Sequence, residues 1–354
     1  MLGSASKNKN MKNRRVVVIA EAGVNHNGEL PNALRLIEIA AEAGADYVKF
    51  QTFSADKIVS HQAVMADYQK QNLNQDDTQW NMLKKLEIPE AWYPLLIQHC
   101  KDHRIEFLST GFDPDAIDFL MKWNLPFIKI PSGELTNLPF LRHVARKKLP
   151  VVLSTGMADM EEVKWAVNTL ISEGLKSTDL TVLHCNTDYP TKMEDVNLNA
   201  MQHLAKELAV KVGYSDHTLG IEVAIAAVAL DACLIEKHFT INRNMPGPDH
   251  KASLEPEELK SMICAIRNIE LAKSGNGIKE PSSSEFSNRK VARKSIHALR
   301  DLSPGDCVQE NDIIALRPGD GISPMEWDTV VGCTIIQPVV KGEKLDWKCM
   351  ERRK

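Results

Sequence analysis

Short apolar runs rich in β-branched residues recur along the first three-quarters of the chain. Most are followed by segments whose apolar residues return every three or four positions. The runs are Val16–Ala20, Tyr47–Gln51, Glu106–Ser109, Phe127–Ile130, Val151–Ser154, Thr181–His184, Lys211–Tyr214 and Cys233–Lys237. Such runs predict strands, and the longer period between them predicts helices. Leu34–Ala43 ends at Gly44, a residue suited to a helix C-terminus, and Asp159 offers an N-cap to the helical pattern that ends near Gly174. Eight such units in roughly 260 residues predict an α/β fold, a (β/α)8 TIM barrel. An open, doubly wound sheet is the competing arrangement.

The residues at the strand ends favour the barrel. They are Glu21, Lys49 and Gln51, Ser109 and Thr110, Lys129 and Ser132, Ser154 and Thr155, His184 and Asn186, Ser215 and His217, and Glu236 and His238. In a barrel all of these meet on one rim, where active sites lie. The connection from Thr52 to about Arg104 is too long for a simple crossover, and is either a lid over that rim or a solvated excursion. Beyond Ala272 the chain becomes rich in turns and short β runs. The expected organisation is a disordered extension over 1–12, the barrel over 13–272, a linker over 273–290 and a small β-rich domain over 291–354.

Composition narrows the possible functions. The 354 residues are 43% hydrophobic and 25% charged, values of an ordinary globular protein. A formal net charge of −4 argues against a nucleic-acid partner, which calls for a strongly basic face. Seven scattered cysteines form no Cys-x-x-Cys pair, so reduced thiols and a cytoplasmic location are expected. The polar, basic start of the chain resembles neither a signal peptide nor an anchor, and no apolar run suggests a membrane partner.

His217 and His238 each follow a predicted strand, and neutral imidazoles are common ligands of divalent first-row metals; the plain alternative is two unrelated loop residues. Lys49 and Lys129, ringed by Thr110, Ser132, Ser154 and Ser215, suit a small anion such as phosphate or carboxylate. Lys129 or Lys237 could instead form a Schiff base with a carbonyl substrate. Glu21 is a candidate general acid or base, or else a buried partner of Lys49. The tight loops Asn25–Gly28 and Pro246–Ser253, with Asp249, suit a polyhydroxylated ligand.

Taken in order, several motifs resemble the sialic acid synthase (nonulosonate synthase) family. They are Glu21–Gly28, Val48–Gln51, Ser109-Thr110, Ile128–Glu134, Ser154–Met157, Tyr189-Pro190, Tyr214–Thr218, Glu236–Thr240 and Gly247–His250. The C-terminal part is similar to the antifreeze-like (SAF) domain that follows the barrel in that family. The resemblance implies condensation of phosphoenolpyruvate with an N-acylated amino sugar, giving a nine-carbon 2-keto acid and phosphate. It implies that His217 and His238 bind Mn2+ or Mg2+, and that Glu21 is catalytic. Lys49, Thr110, Lys129, Ser132, Ser154, Asn186 and Ser215 would hold phosphoenolpyruvate, with Asn186 and Thr187 as alternatives at one position. Gln51, Glu134, Tyr189 and Asp249 would orient the sugar. Arg317 of the small domain would reach the N-acyl group in the barrel of a second protomer, which implies a domain-swapped homodimer. Cys185–Lys192 looks more like the bacterial synthases for legionaminic acid, favouring a 2,4-diacetamido-2,4,6-trideoxymannose substrate; N-acetylmannosamine and the pseudaminate precursor are the alternatives. A non-catalytic sugar- or ice-binding protein is the competing class.

Overall fold

The computed structural model describes residues 15–66, 69–70 and 78–352. The extension expected over 1–12 lies outside the described residues, as does part of the long excursion. Eight parallel strands form one sheet: β1 (Val17–Gly23), β2 (Tyr47–Thr52), β3 (Glu106–Gly111), β4 (Ile128–Ile130), β5 (Val151–Ser154), β6 (Leu180–His184), β7 (Lys211–Asp216) and β8 (Leu234–His238). The hydrogen-bonded order is β3-β2-β1-β8-β7-β6-β5-β4, and the two end strands β3 and β4 lie against each other. Pairing of the first strand with the last is what ring closure produces, and it disposes of the open doubly wound sheet. The eight outer helices are α1 (Leu30–Ala43), α2 (Tyr93–Asp102), α3 (Pro114–Leu120), α4 (Leu138–Ala145), α5 (Met160–Ser172), α6 (Ala200–Leu208), α7 (Glu222–Ala229) and α8 (Pro256–Ala272). Helix α1 ends at Gly44, whose φ of 84° is left-handed, and α5 opens with a capping box of Asp159 and Glu162.

Strand alternation divides the barrel into a greasy floor and a polar rim. Val18, Ala20 and Ala22 of β1 join the core shared with the helices, whereas Ile19 packs inside with Leu108, Phe127, Val152, Leu183 and Leu234. This plug withdraws six large side chains from water, each worth about 1.5–3 kcal/mol. Gly213 leaves it room, since a Cβ there would lie 2.4 Å from the Leu234 carbonyl oxygen. Two residues further along each strand the same face carries Glu21, Lys49, Thr110, Lys129, Ser154, Ser215 and Glu236, because side chains on one face recur with period two.

The described part of the long excursion is not a solvated strand of chain. Short helices at Ala55–Ile58 and Gln79–Lys84 bracket an apolar cluster of Val24, Phe53, Met65, Met82 and Leu86. The excursion is therefore anchored at the loop following β1.

Two compact units divide between Ser274 and Gly275. In the second, β9 (Ser295–Ala298) pairs antiparallel with β10 (Ile313–Leu316), and β11 (Thr334–Ile335) with β12 (Met350–Glu351). Its own core includes Ile296, Val308, Ile313, Val330, Ile335 and Leu345. Residues Glu285–Ala292, in the stretch read from sequence as a linker, form a helix, α9. Among the described residues no helix is long and apolar enough to cross a membrane.

Candidate active site

A cavity of about 340 Å3 opens at the C-terminal ends of the barrel strands. Glu21, Lys49, Gln51, Thr110, Lys129, Ser132, Glu134, Ser154, Tyr189, Ser215, His217, His238 and Asp249 all line it. The helices bracketing the excursion add an apolar wall of Ile58, Met82 and Leu83, continued by Val59 and Leu86. The floor is polar and the upper wall greasy, which suits a ligand with charged groups at one end and methyl groups at the other.

Charge on the floor is organised around two lysines and two glutamates, all buried. The Lys49 ammonium donates to Thr110 Oγ1 at 2.7 Å, meets Glu21 Oε2 at 2.7 Å and stands 3.6 Å from Glu236 Oε2. Lys129 Nζ lies 3.4 Å from Glu236 Oε1, which also accepts from Ser215 Oγ at 3.1 Å. Gln51 Nε2 donates to Glu21 Oε1 at 3.1 Å. Burial works against charge on both glutamates, but the outcomes diverge. At Glu236 the ammoniums of Lys129 and Lys49 win and hold the carboxyl at about 2. At Glu21 burial wins over Lys49, and the nearby Glu236 charge helps push it up to about 7. One carboxylate is thus fixed in its charged form while the other sits where it can exchange a proton near neutrality. Lys129 is pushed down by burial. The Ser154 hydroxyl is buried in this ring without a hydrogen-bond partner among the described residues.

His217 follows β7 and His238 ends the neighbouring β8, with ring centroids 5.4 Å apart and Tyr189 packed 4.2 Å from the first. Burial lowers His217 to about 4 and drives His238 well below its ordinary value, so both are neutral at pH 7. His217 Nδ1 donates to the Asn186 carbonyl, which leaves Nε2 as an acceptor whose one contact among the described residues is the long 3.5 Å approach of Ser215 Oγ. Among the described residues His238 Nδ1 is buried without a hydrogen bond, 4.0 Å from Asp249 Oδ2, and burial raises Asp249 to about 6. A neutral imidazole oriented through its other nitrogen, beside a second one and a carboxylate, is a donor set that fits a divalent cation. The charge balance agrees: two ammoniums already face two carboxylates, so a multiply charged anion entering this floor calls for further positive charge.

The structure sorts the polar strand-end residues by parity. Ser109, Thr155, His184 and Lys237 lie on the outward face. Ser109 bonds Thr52, Thr155 bonds the Leu183 carbonyl, His184 reaches the Val196 carbonyl, and Lys237 pairs with Asp216 at 2.8 Å. Lys237 is consequently not available to a carbonyl substrate in the cavity. The Asn186 side chain donates to the Asp195 carbonyl and does not line the cavity, whereas Thr187 does. Arg317 belongs to the second unit, where its Nε donates to the Ala292 carbonyl. From sequence Glu236 was a strand-end residue without a role, and Thr187 entered only as the alternative to Asn186. Period two would have found both, because Glu236 shares the face of His238 and Thr187 that of Cys185.

The NeuB family matches residues 36–279 and the SAF domain matches residues 293–351. The N,N'-diacetyllegionaminic acid synthase of Legionella pneumophila is 48% identical over 336 residues, covering 94% of both chains. The enzyme of the same name from Campylobacter jejuni is 48% identical over 319 residues, covering 90% of this chain and 95% of that one. Among solved structures, the N-acetylneuraminic acid synthetase of Leptospira borgpetersenii superposes with a TM-score of 0.67 at 33% identity, covering 78% of this chain and 90% of its own.

Proposed function

The chain belongs to the NeuB family, and from that membership and the cavity it builds we propose that it condenses phosphoenolpyruvate with 2,4-diacetamido-2,4,6-trideoxymannose. The products are a nine-carbon 2-keto acid of the legionaminate type and inorganic phosphate. The observation that carries this reading is the meeting of Lys49, Lys129, Thr110 and Ser154 with the His217–His238 pair in one cavity.

In this reading Lys49, Lys129, Thr110, Ser132, Ser154 and Ser215 hold the phosphate and carboxylate of phosphoenolpyruvate. Ser154 supplies a hydroxyl that has no partner among the described residues. Gln51, Glu134, Tyr189 and Asp249 orient the open-chain sugar, and the apolar wall of Ile58, Met82 and Leu83 receives its methyl groups. His217 and His238 would hold a divalent cation, Mn2+ or Mg2+, which when bound supplies Lewis-acid polarisation of the sugar aldehyde. C3 of phosphoenolpyruvate then attacks the aldehyde carbon. The new C–C bond takes its electrons from the enol double bond, leaving C2 electron-poor and the aldehyde oxygen as an alkoxide. Glu21, poised near neutrality, takes one proton from the water that adds to C2, and that proton ends on the sugar alkoxide; the C2 hydroxyl then gives its proton to the departing phosphate as the C2–O bond breaks and the ketone forms. A reaction that consumes phosphoenolpyruvate supports the cytoplasmic location expected from the reduced thiols.

The test is a chelator-treated enzyme supplied with Mn2+, phosphoenolpyruvate and each of three sugars, with products read by mass. Phosphate release should depend on the added metal, and the diacetamido sugar should give the faster turnover. Equal turnover of N-acetylmannosamine would overturn the sugar assignment. Labelling of a lysine by borohydride in the presence of pyruvate would favour a Schiff-base aldolase through Lys129.

The family resemblance alone assigns Arg317 to the N-acyl group within a swapped dimer. An equimolar mixture of Arg317→Ala and Lys129→Met chains, co-refolded, should recover about a quarter of wild-type activity, since half the dimers are mixed and each carries one intact site. A mixture as inactive as its components would show that both residues serve the same chain's site.

A further inference from the structure

Away from the cavity, three metal-ligating side chains converge where two outer helices touch. Glu38 projects from α1, His99 from the last turn of α2, and His103 is the residue that terminates α2. None of the three lines the barrel cavity. His99 and His103 stand four residues apart, so one helical turn brings their rings together, with centroids 4.5 Å apart. His99 Nε2 lies 3.2 Å from Glu38 Oε1, and one ligand atom of each residue falls within 4.8 Å of the others. The second oxygen of Glu38 is held by Arg35 Nη1 at 2.7 Å. The carboxylate is thereby aimed, with Oε1 left to the histidines.

We propose that Glu38, His99 and His103 form a second metal site, for a borderline divalent transition ion such as zinc. Two imidazoles and one carboxylate match zinc chemistry, whereas magnesium and calcium prefer all-oxygen shells. His103 is exposed and the other two are half-buried, so water completes the coordination on the open side. The ligands come from α1 and α2, which also pack against each other. An ion held here clips the first two helical layers of the barrel together, and stabilises the folded chain because the unfolded chain does not present these ligands together. The site is independent of the reaction proposed for the cavity.

The test compares metal-stripped wild-type protein, His103→Ala and Glu38→Gln by calorimetric titration with zinc and by thermal unfolding. His103 is exposed, so its replacement should leave the fold and the Mn2+-dependent activity unchanged. One class of zinc site should weaken by at least about tenfold in both variants, and the zinc-induced rise in melting temperature should shrink with it. Zinc binding with the same stoichiometry and affinity in all three proteins overturns the proposal, whatever the activity assay shows.

Discussion

A Lys129→Met chain is expected to lose about a hundred- to a thousandfold in kcat/KM for phosphoenolpyruvate while remaining folded. Among the described residues the Lys129 ammonium is paired only with Glu236, at 3.4 Å, while Lys49 is already shared by Thr110, Glu21 and Glu236. Lys129 is thus the freer cation, and burial makes its charge costly until an anion arrives. Methionine keeps most of the side-chain volume and removes the charge, leaving Glu236 with Lys49 and Ser215 as partners. Steady-state kinetics read the loss, and circular dichroism checks the fold. A loss smaller than tenfold would mean that the anion is held elsewhere.

Lys237→Met should act on stability instead, lowering it by about 3–5 kcal/mol and the melting temperature by about 10 °C. The Lys237 ammonium is fully buried against Asp216 Oδ2 at 2.8 Å and donates to the Thr218 carbonyl at 2.6 Å. Asp216 Oδ1 in turn accepts from the Thr218 amide at 2.9 Å and hydroxyl at 2.7 Å. Removing the lysine strands a buried carboxylate, which is the expensive way to break such a pair. The double variant Asp216→Asn, Lys237→Met should recover a large part of the loss, because asparagine removes the stranded charge and still accepts from Thr218. Differential scanning calorimetry of the three proteins decides the matter. A single variant as stable as wild type would show that the pair contributes nothing. The pair joins the ends of β7 and β8 at the residues preceding His217 and His238, so the same contacts set the spacing of the two imidazoles.

The order and type of the barrel elements were legible because strand runs and helix periods are local. The Val151–Ser154 strand matches its sequence reading, and the others differ by a few residues at their ends. The C-terminal ends of β1, β2, β3, β7 and β8 moved outward because partner strands extend the ladder past the apolar run. β7 continues through Ser215 and Asp216, which bond across to β8. The excursion after β2 read as either lid or solvent-exposed chain, since its apolar residues are sparse in sequence. Met65, Met82 and Leu86 become a cluster only when Val24 and Phe53 are brought beside them.

By itself, then, the sequence determined eight β–α units, a C-terminal unit of separate composition, and a supply of lysine, carboxylate, hydroxyl and imidazole at the strand ends. Only the tertiary structure decided which of those groups act together. Adjacent residues on a strand face opposite ways, so Lys237 turned outward to Asp216 while Glu236 and His238 turned inward, and Thr187 rather than Asn186 reached the cavity. Ring closure then set β1 beside β8, placing Glu21 across from His238, residues that lie more than two hundred positions apart in the chain. Burial in that ring raises both of two chemically identical carboxyls, but Glu236 is flanked by both ammoniums and stays charged, whereas Glu21 meets only Lys49 and titrates near neutrality.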